Sequence, residues 1–454
     1  MGESMFRADR EMTELVIDFC RSRLDVEPVA LDFGGTRPPA PGTLDGLLSE
    51  EGNDPEKVLR LFADHLSHSV VSCDNPRYLA FIPAAPTKAA LLFDMIVSCS
   101  SFPCTSWLEG AGVVMAENQA LRLLADVAGL PPQAGGCFVS GGSNANLSAL
   151  VVAREVAAAR RGPIRPASPA RVAVSSEAHA SIALALRVAA LEPLVVRTDD
   201  HRLTGQALQA ALAADPSPGD VIAVVATAGT TNAGIVDDLA GVGQVARDHG
   251  LWFHVDAAYG GAALFAESAR HRFAGVELAD SYVVDPHKWL FAPYDSGALL
   301  YRDPTLAEAT LAQHASYLDV MRELPEGAWN PGDYAFHLTR RARGLPFWFS
   351  IAVHGVGAYR RAIEAVLETT RRSAELISQA AHLELIREPE LSVVLFRRRG
   401  WGLQDYRAWS TRLLQEQIAF VTPTTWEGEP VARLAFLHPE TTAELVEEII
   451  ASMA

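Results

Sequence analysis

The chain has 454 residues, 49% of them hydrophobic, which is enough to bury a large core and to form two or three structural units. Its 38 Lys and Arg residues against 55 Asp and Glu residues give a formal net charge of −17, which argues against nucleic acid or an anionic membrane surface as a partner. The five cysteines are scattered and lack zinc-ligand spacing, which argues against a disulfide framework and a metal site. The sequence has no long apolar segment of the kind that anchors a protein in a membrane, so we expect a soluble, cytoplasmic protein.

The first part of the chain is predicted to be helical. Residues 1–75 alternate a helical pattern with a Pro/Gly-rich connector at 31–46, which predicts an N-terminal helical arm. Residues 109–129 place Leu121 and Leu124 at helical spacing and end near a glycine, which predicts an amphipathic helix.

From Gly136 to about Asp303, short β-branched segments alternate with Ala-rich helical stretches. Strands without strict polar alternation are expected where helices cover both faces of a sheet, so this pattern predicts a mostly parallel sheet in a large domain at 76–344. Ligands of such sheets bind at the carboxyl ends of the strands. The strand-like segments after the first are VAVSS, PLVVRT, VIAVVATAG, LWFHVDAA, SYVVDPH and SGALLYR.

The last part of the chain predicts a smaller α+β domain at 345–454. A long helical segment at 345–379 leads into predicted strands at SVVLFRRR and VARLAFL. The sequence therefore predicts three units: the arm, the large domain and this C-terminal domain.

A Gly-rich turn between a strand and a helix, SGGSNAN, begins at Ser140. Free backbone N–H groups at a helix N-terminus bind phosphate, and Ser143 adds a hydroxyl donor. Ordinary strand-to-helix connections use the same residues, so the turn alone does not distinguish the two uses. It lacks the full glycine fingerprint of a dinucleotide site.

His179 and Thr231 follow two further predicted strands. An imidazole at the start of a helix can stack on a flat ring or place a proton donor near a reacting carboxylate, although a single histidine there is also a common helix cap. The threonine hydroxyl at a strand end can contact a ligand, but threonines are ordinary loop residues as well.

Asp256 ends the apolar strand LWFHVD and is followed by two alanines. A carboxylate in such a position needs a cation, and a protonated pyridine nitrogen is one such partner. The small side chains of Ala257 and Ala258 would let a flat ring lie close to the strand. The alternative is an aspartate that caps the next helix.

Lys288 follows a histidine at the end of another predicted strand, in SYVVDPHKWL. Lysines are rarely buried without a reason, and a desolvated amine is the nucleophile that Schiff-base chemistry requires. A surface lysine on a loop is the alternative.

Together these motifs resemble the group II pyridoxal-phosphate-dependent amino-acid decarboxylases, the family of aromatic-amino-acid and glutamate decarboxylases. The resemblance spans most of the chain. Its motifs, in order, are LAFIP, SSFPCTSW, SGGSNANLSAL, EAHASI, TAGTTNAGIVDDL, HVDAAYGG, DPHKWL and LAFLHPETT.

The resemblance implies pyridoxal-phosphate fold type I, aspartate-aminotransferase-like, with a mostly parallel seven-stranded sheet. It implies decarboxylation of an L-amino acid to an amine and carbon dioxide, with pyridoxal 5′-phosphate as cofactor. By this resemblance Lys288 forms a Schiff base with the cofactor, Asp256 pairs with its ring nitrogen, and Ala258 and His179 lie on the two ring faces. The other implied cofactor contacts are Gly142, Ser143, Thr231, Asp285 and His287.

Tyr317 matches the tyrosine that the family uses to protonate the substrate carbon, so the implied catalytic residues are Lys288, His179 and Tyr317. Asp285 departs from many relatives, which have Asn there, and an acid beside a phosphate would repel it. The implied substrate pocket contains Phe81, Ile82, Cys73 and Thr105, the last lent by a partner subunit, so the resemblance also implies a homodimer.

Several other functions are compatible with the same motifs. An aminotransferase or a desulfurase would use an equivalent lysine and aspartate, and an aldehyde-forming relative usually has Phe where this chain has Tyr317. A non-catalytic homologue and a plain nucleotide-binding protein are further alternatives. The substrate stays open among aromatic, aliphatic, acidic and diamino acids.

Overall fold

The computed structural model describes residues 6, 9–27, 30–31, 40–82, 85–161, 169–325 and 327–454. Residues 32–39, half of the Pro/Gly-rich connector predicted at 31–46, lie outside these residues. The helices are α1 Arg10–Asp25, α2 Pro55–Leu61, α3 Lys88–Ser100, α4 Trp107–Val127, α5 Gly142–Arg161, α6 Ala180–Val188, α7 Gly205–Ala214, α8 Leu239–His249, α9 Glu267–Arg270, α10 Pro304–Leu311, α11 Leu345–His354, α12 Val356–Gln379, α13 Leu403–Gln415 and α14 Ala443–Ala451.

A seven-stranded sheet forms the centre of the molecule. Its strands are β1 Gly135–Val139, β2 Arg171–Ser175, β3 Glu192–Val196, β4 Val221–Thr227, β5 Trp252–Asp256, β6 Ser281–Val284 and β7 Gly297–Tyr301. The spatial order is β1-β7-β6-β5-β4-β2-β3. Only β7 runs antiparallel to its neighbours within this sheet, so the predicted mostly parallel sheet is confirmed.

Helices cover both faces of this sheet, which explains why its strands are apolar without alternation. Every residue of β4 and β5 is buried. One face packs against α5, α6 and α10, and the other packs against α4, α7, α8 and α12. Because both faces are closed, polar side chains can reach a ligand only from the strand ends.

A second, four-stranded antiparallel sheet lies in the C-terminal part. Its strands are β8 Leu383–Leu385, β9 Val393–Arg398, β10 Thr424–Trp426 and β11 Glu429–Ala435, in the order β10-β11-β9-β8. Both predicted C-terminal strands are therefore present, as β9 and β11. The boundaries of the three predicted units stay predictions, since one hydrophobic core joins residues of the large and C-terminal parts.

The prediction of a single long helix over 345–379 was wrong, because the segment forms two helices. The segment is divided into α11 and α12 at Gly355, whose φ of 77° and ψ of 155° lie outside the helical region. A left-handed φ favours glycine, so this residue lets the chain change direction between the two helices.

No helix of the described part of the chain is both long and apolar enough to cross a bilayer.

Candidate active site

A cavity of about 390 Å³ opens where the central parallel strands end. Thr227 ends β4, Asp256 ends β5, and Asp285 directly follows β6. Polar side chains therefore lie together at the carboxyl ends of three adjacent strands. All nine residues expected to contact the cofactor line this cavity: Gly142, Ser143, His179, Thr231, Asp256, Ala258, Asp285, His287 and Lys288.

Lys288 directs its amine into the cavity beside a buried acid. Its Nζ lies 3.1 Å from Oδ2 of Asp285, and 23% of the lysine side chain is exposed against 1% of the aspartate side chain. The other oxygen of Asp285, Oδ1, is buried and has no hydrogen-bond partner among the described residues. The amine therefore has one charged partner and remains accessible from the cavity, as a nucleophile must be.

Asp256 is held by donors on both of its oxygens. Its Oδ2 accepts a hydrogen bond of 2.8 Å from Nδ2 of Asn146, and its Oδ1 accepts one of 3.2 Å from the backbone N–H of Ala258. The second contact is a local turn bond of the kind that the capping alternative expected. Because Asp256 also lines the cavity, the same carboxylate can cap the turn and face a ligand.

The N-terminus of α5 and the side chain of His287 form one wall of the cavity. The backbone N–H of Ser296 donates to Nδ1 of His287 over 3.0 Å, so a neutral imidazole carries its proton on Nε2. Burial lowers the pKa of His287, which favours this neutral form. With the free N–H groups at the start of α5 and the hydroxyl of Ser143, this wall presents donors suited to an anion.

Two glycines permit the close approach of the turn to this wall. Gly141 has a φ of 148°, and a Cβ there would lie 3.0 Å from Cε1 of His287. A Cβ on Gly142 would lie 3.0 Å from Cβ of Ala258. The turn thus reaches the base of the cavity because it carries little side-chain bulk.

His179 has the position of a helix cap and also borders the cavity. Its Nδ1 accepts from the backbone N–H of Ser181 over 3.2 Å and lies 2.8 Å from the hydroxyl of the same serine. The cap and the ligand contact are therefore compatible, because the cap uses Nδ1 and the ring still lines the cavity. Thr231 is exposed at the rim, whereas the hydroxyl of Thr230 is buried and accepts from the backbone N–H of Ile235.

Cys73, Phe81 and Ile82, expected in the substrate pocket, do not line the cavity itself. Burial, with a smaller contribution from Cys73, raises the pKa of Tyr294 to about 12, and the Tyr294 ring lies 5.2 Å from the ring of His287. Ile82 packs against the core, and Phe81 is 58% exposed.

Arg433 links Phe81 to the cavity rim and was not anticipated from the sequence. Its guanidinium donates to the backbone carbonyl of Phe81 over 3.0 Å and to that of Thr231 over 2.6 Å. The side chain is buried, which lowers its pKa to about 10. A buried arginine on a C-terminal strand therefore fixes the predicted substrate wall against the predicted cofactor site.

Thr105 and Tyr317 lie apart from the Lys288 cavity. Thr105 is buried and lines a separate groove of about 530 Å³, which Leu318, the neighbour of Tyr317, also lines. Tyr317 is 73% exposed on the 3-10 helix Ser316–Arg322. The two residues are therefore close to a common groove, and their predicted roles at the cavity stay predictions.

A buried polar group behind Asp256 was also missed from the sequence. Asn146, His254 and Ser281 lie on α5, β5 and β6 and are linked by hydrogen bonds. Asn146 stands within the quoted Gly-rich motif and His254 within HVDAAYGG, so the motifs contained them. The contact between Asn146 and His254 depends on packing between elements 108 positions apart, which local pattern does not specify.

Known proteins resemble this chain over most of its length. A family model described as the pyridoxal-dependent decarboxylase conserved domain matches residues 41–399. The chain is 32% identical over 463 residues to the aromatic-L-amino-acid decarboxylase of Bacillus atrophaeus, covering 99% of this chain and 94% of that protein. It is 34% identical over 396 residues to the L-2,4-diaminobutyrate decarboxylase of Rhizobium meliloti (strain 1021), covering 85% and 78%.

A solved structure with the same fold is that of Oryza sativa TDC with PLP and tryptamine. The TM-score is 0.89 at 24% sequence identity, and the match covers 100% of this chain and 99% of that one. This likeness supports the expected fold type I architecture.

Proposed function

The chain belongs to the pyridoxal-dependent decarboxylase family, and from this membership we propose which of its residues perform the reaction. It is a pyridoxal-phosphate-dependent carboxy-lyase that converts an L-amino acid to the corresponding amine and carbon dioxide. The observation that carries the residue assignment is that Lys288 and Asp256 line one cavity together with the N-terminus of α5.

The cavity suits the cofactor in its donor set and its shape. It combines an amine for a covalent link, a carboxylate for a ring nitrogen, and helix N–H groups for a phosphate. The buried hydroxyl of Thr227 and Oδ1 of Asp285 both belong to its lining residues and lack hydrogen-bond partners among the described residues. Buried polar atoms without partners are uncommon, so these two atoms support a polar ligand in the cavity.

In this proposal each residue holds one part of the cofactor. Lys288 would hold it covalently, and Asp256 would keep a proton on the ring nitrogen. Ser143, His287 and the N–H groups at Gly142 would bind the phosphate. Ala258 and His179 would bound the two faces of the ring, with Thr231 at its edge.

The reaction depends on which bond the site orients. When bound, pyridoxal phosphate supplies an electron-accepting ring for the electron pair of the bond to the carboxylate. His179 and the rim would hold the substrate so that this bond stands across the ring plane. Asp285 would hold the lysine amine while it is not covalently engaged, since the two groups are 3.1 Å apart. Tyr317 would then deliver a proton to Cα.

We further propose a homodimer in which the groove at Thr105 completes the site of the partner subunit. Two predicted site residues, Thr105 and Tyr317, are positioned away from the Lys288 cavity of their own chain. The groove that Thr105 lines lies beside the segment of Tyr317, and a groove of this kind on the surface of one copy is what a site shared between two copies requires.

A cytoplasmic location is also proposed. All five cysteines lie within the described residues, and none forms a disulfide there. Free thiols are typical of a reducing compartment.

The substrate is proposed to have an aromatic or other apolar side chain. Tyr78 and Phe81 both contact the ring of Phe420, at centroid distances of 4.9 and 6.1 Å, next to the segment that Arg433 fixes to the rim. Rings that pack on the predicted substrate wall favour apolar substrates over acidic ones.

The test incubates the protein and pyridoxal phosphate with a panel of aromatic, aliphatic, acidic and diamino acids while carbon dioxide, amine and aldehyde are measured. We expect carbon dioxide and amine in equal amounts from an aromatic or apolar amino acid, without a keto-acid partner. Lys288→Ala should reduce this rate at least about a thousandfold, because the covalent step is lost. Aldehyde in place of amine would contradict the role given to Tyr317, and full activity of Lys288→Ala would refute the site.

A further inference from the structure

A line of hydrogen bonds runs from the inner side of Asp256 through the sheet. Asn146 donates from Nδ2 to Oδ2 of Asp256 over 2.8 Å, and Nε2 of His254 lies 2.9 Å from Oδ1 of Asn146. Nδ1 of His254 lies 2.8 Å from Oγ of Ser281, which also accepts from Nε1 of Trp252 over 2.8 Å. All five residues are buried, with at most 7% exposed.

The direction of each hydrogen bond in this line is determined by its two ends. The ionised carboxylate of Asp256 can only accept, so the amide nitrogen of Asn146 faces it and the amide oxygen faces His254. That oxygen can only accept, which places a proton on Nε2 of His254.

At the other end, the indole of Trp252 can only donate, so Ser281 accepts from it and turns its own hydroxyl hydrogen to Nδ1 of His254. One neutral tautomer of His254 satisfies every group. Burial lowers the pKa of His254 to about 4, and Asp256 is the charged group whose field opposes this shift, so the neutral form persists at neutral pH.

The line of hydrogen bonds runs from the carboxyl end of β5 to its amino end. Asp256 lies at the carboxyl end of β5, whereas Trp252 begins that strand and lines a different cavity, of about 300 Å³, at the opposite edge. Asn146 makes one further contact, to the hydroxyl of Ser181, which also holds His179. A single amide therefore connects the proposed partner of the ring nitrogen, Asp256, with the residue proposed to lie above the ring, His179.

We propose that Asn146 and His254 are positioning residues that hold Asp256 oriented toward the cofactor ring. The inference rests on the role proposed above for Asp256. Without Asn146, the carboxylate keeps only the 3.2 Å bond from Ala258 in the described structure, so it is free to turn away from the ring nitrogen. Without the N–H of His254, Asn146 is free to turn its amide oxygen toward the carboxylate.

The test compares two replacements of the same histidine in the full-length protein. His254→Gln keeps an N–H donor near the place of Nε2, whereas His254→Phe keeps the ring and removes the donor. Asn146→Ala is the second disrupting variant, and it leaves a small side chain that the fold can accommodate if the phenylalanine is too bulky. Ser373→Ala is the matched control, since Ser373 is equally buried but donates to Thr369 within α12.

Pyridoxal phosphate is titrated onto each protein, and two quantities are measured: its dissociation constant and the pH midpoint of the absorption change of the bound cofactor. We expect the dissociation constant to rise about tenfold or more in His254→Phe and Asn146→Ala. The absorption midpoint reports the proton on the imine nitrogen formed with Lys288, and it should move to higher pH, because a ring nitrogen that is less often protonated repels that proton less. His254→Gln and Ser373→Ala should stay within about threefold of the wild type in affinity, with an unchanged midpoint.

A purely structural role would lower the melting temperature of the disrupting variants and leave the absorption midpoint in place, and that result would overturn the inference. Equal behaviour of His254→Gln and His254→Phe would overturn it as well. If the wild-type protein took up no pyridoxal phosphate, the proposed function would fail first, and the positioning role would fail with it.

Discussion

One buried acid, Glu117, holds together two segments that border the predicted dimer groove. Its Oε1 accepts from the backbone N–H of Gly344 over 2.6 Å, and its Oε2 accepts from the thiol of Cys104 over 3.0 Å. Cys104 immediately precedes Thr105, so this carboxyl fixes the loop that carries a predicted substrate contact. Burial raises the pKa of Glu117 to about 7.

The stability of Glu117→Gln relative to the wild type is expected to increase as the pH rises. The unfolded chain loses the Glu117 proton near pH 4.5, whereas the folded chain keeps it until about pH 7, so the wild type loses stability across this interval. Glutamine keeps the acceptor for Gly344 and does not titrate. The difference in unfolding free energy should shift in favour of the variant by up to about 3 kcal/mol between pH 5 and pH 8.

Urea unfolding at pH 5, 6, 7 and 8 measures this shift, and Glu447→Gln, at an exposed position, serves as the control. A pH-independent difference between Glu117→Gln and the wild type would show that the acid does not titrate in this range.

The sequence predicted the residues that line the cavity better than those that support it. Residues such as Asp256 and Lys288 follow predicted strands, and the carboxyl ends of parallel strands meet at one edge, so their proximity was predictable. His254 lies in the middle of a strand and meets Asn146, 108 positions away. Which buried polar residues face one another depends on how α5 packs on the sheet, and no local pattern encodes that packing.

Among the strands, the pairing of β1 with β7 is the most sensitive to side-chain bulk. Gly136 pairs with Leu300, and a Cβ on Gly136 would lie 1.9 Å from the backbone oxygen of Leu299. Backbone atoms of a central strand cannot move aside without breaking the ladder. Gly135 differs, because its Cβ would meet only the ring of Trp329, at 3.3 Å.

Gly136→Ala should therefore destabilise the protein by about 3 kcal/mol or prevent its accumulation, since overpacking against backbone is not relieved by side-chain rotation. Gly135→Ala should change stability by less than about 1 kcal/mol. Thermal unfolding of the two variants, prepared side by side, measures the contrast. Equal melting temperatures would mean that the sheet edge at β1 can shift to admit a methyl group.

The division between α11 and α12 shows where helical periodicity is insufficient. Apolar residues recur at helical spacing on both sides of Gly355, so the pattern predicted one continuous helix. A glycine within a helical pattern signals only a reduced preference for helix. Whether the chain turns there is decided by the packing of α11 on α3 and α4 and of α12 on α14.

For the whole molecule, the central fact is that eleven of the predicted site residues fall into two groups in one chain. Nine line the Lys288 cavity, whereas Thr105 and the segment of Tyr317 border a separate groove. If the groove residues of one copy complete the Lys288 cavity of the other, each complete site needs residues from both chains. A mixture of two differently inactive proteins would then regain activity.

Lys288→Ala mixed with Tyr317→Phe and allowed to exchange subunits should recover about a quarter of the wild-type rate of amine formation, because half of the dimers are mixed and each mixed dimer has one intact site. Amine release before and after exchange is the measurement. Lys288→Ala mixed with Asp256→Ala is the control without recovery, since both changes fall in the same cavity. Recovery in the control, or none in the test pair, would contradict a shared site.

The fold of the whole chain was predictable in its class and not in its strand order. Apolar strands alternating with helices predicted a covered, mostly parallel sheet, and seven such strands are present. That β7 lies between β1 and β6 and runs against both was not predictable from the pattern. Strand neighbours are chosen by contacts between distant segments, and the strands themselves carry similar apolar residues.

The antiparallel return of β7 also restricts where the reactive amine can be. The loop after Val284 rejoins the sheet at Gly297, and it is fastened by bonds from the N–H of Asp285 to Ala258 and from that of His287 to Ser296. Trp289, the residue after Lys288, is fully buried. An amine at position 289 would therefore face the hydrophobic interior. Redesign of this scaffold for other amino acids has to alter the walls of the cavity and leave Lys288 in place.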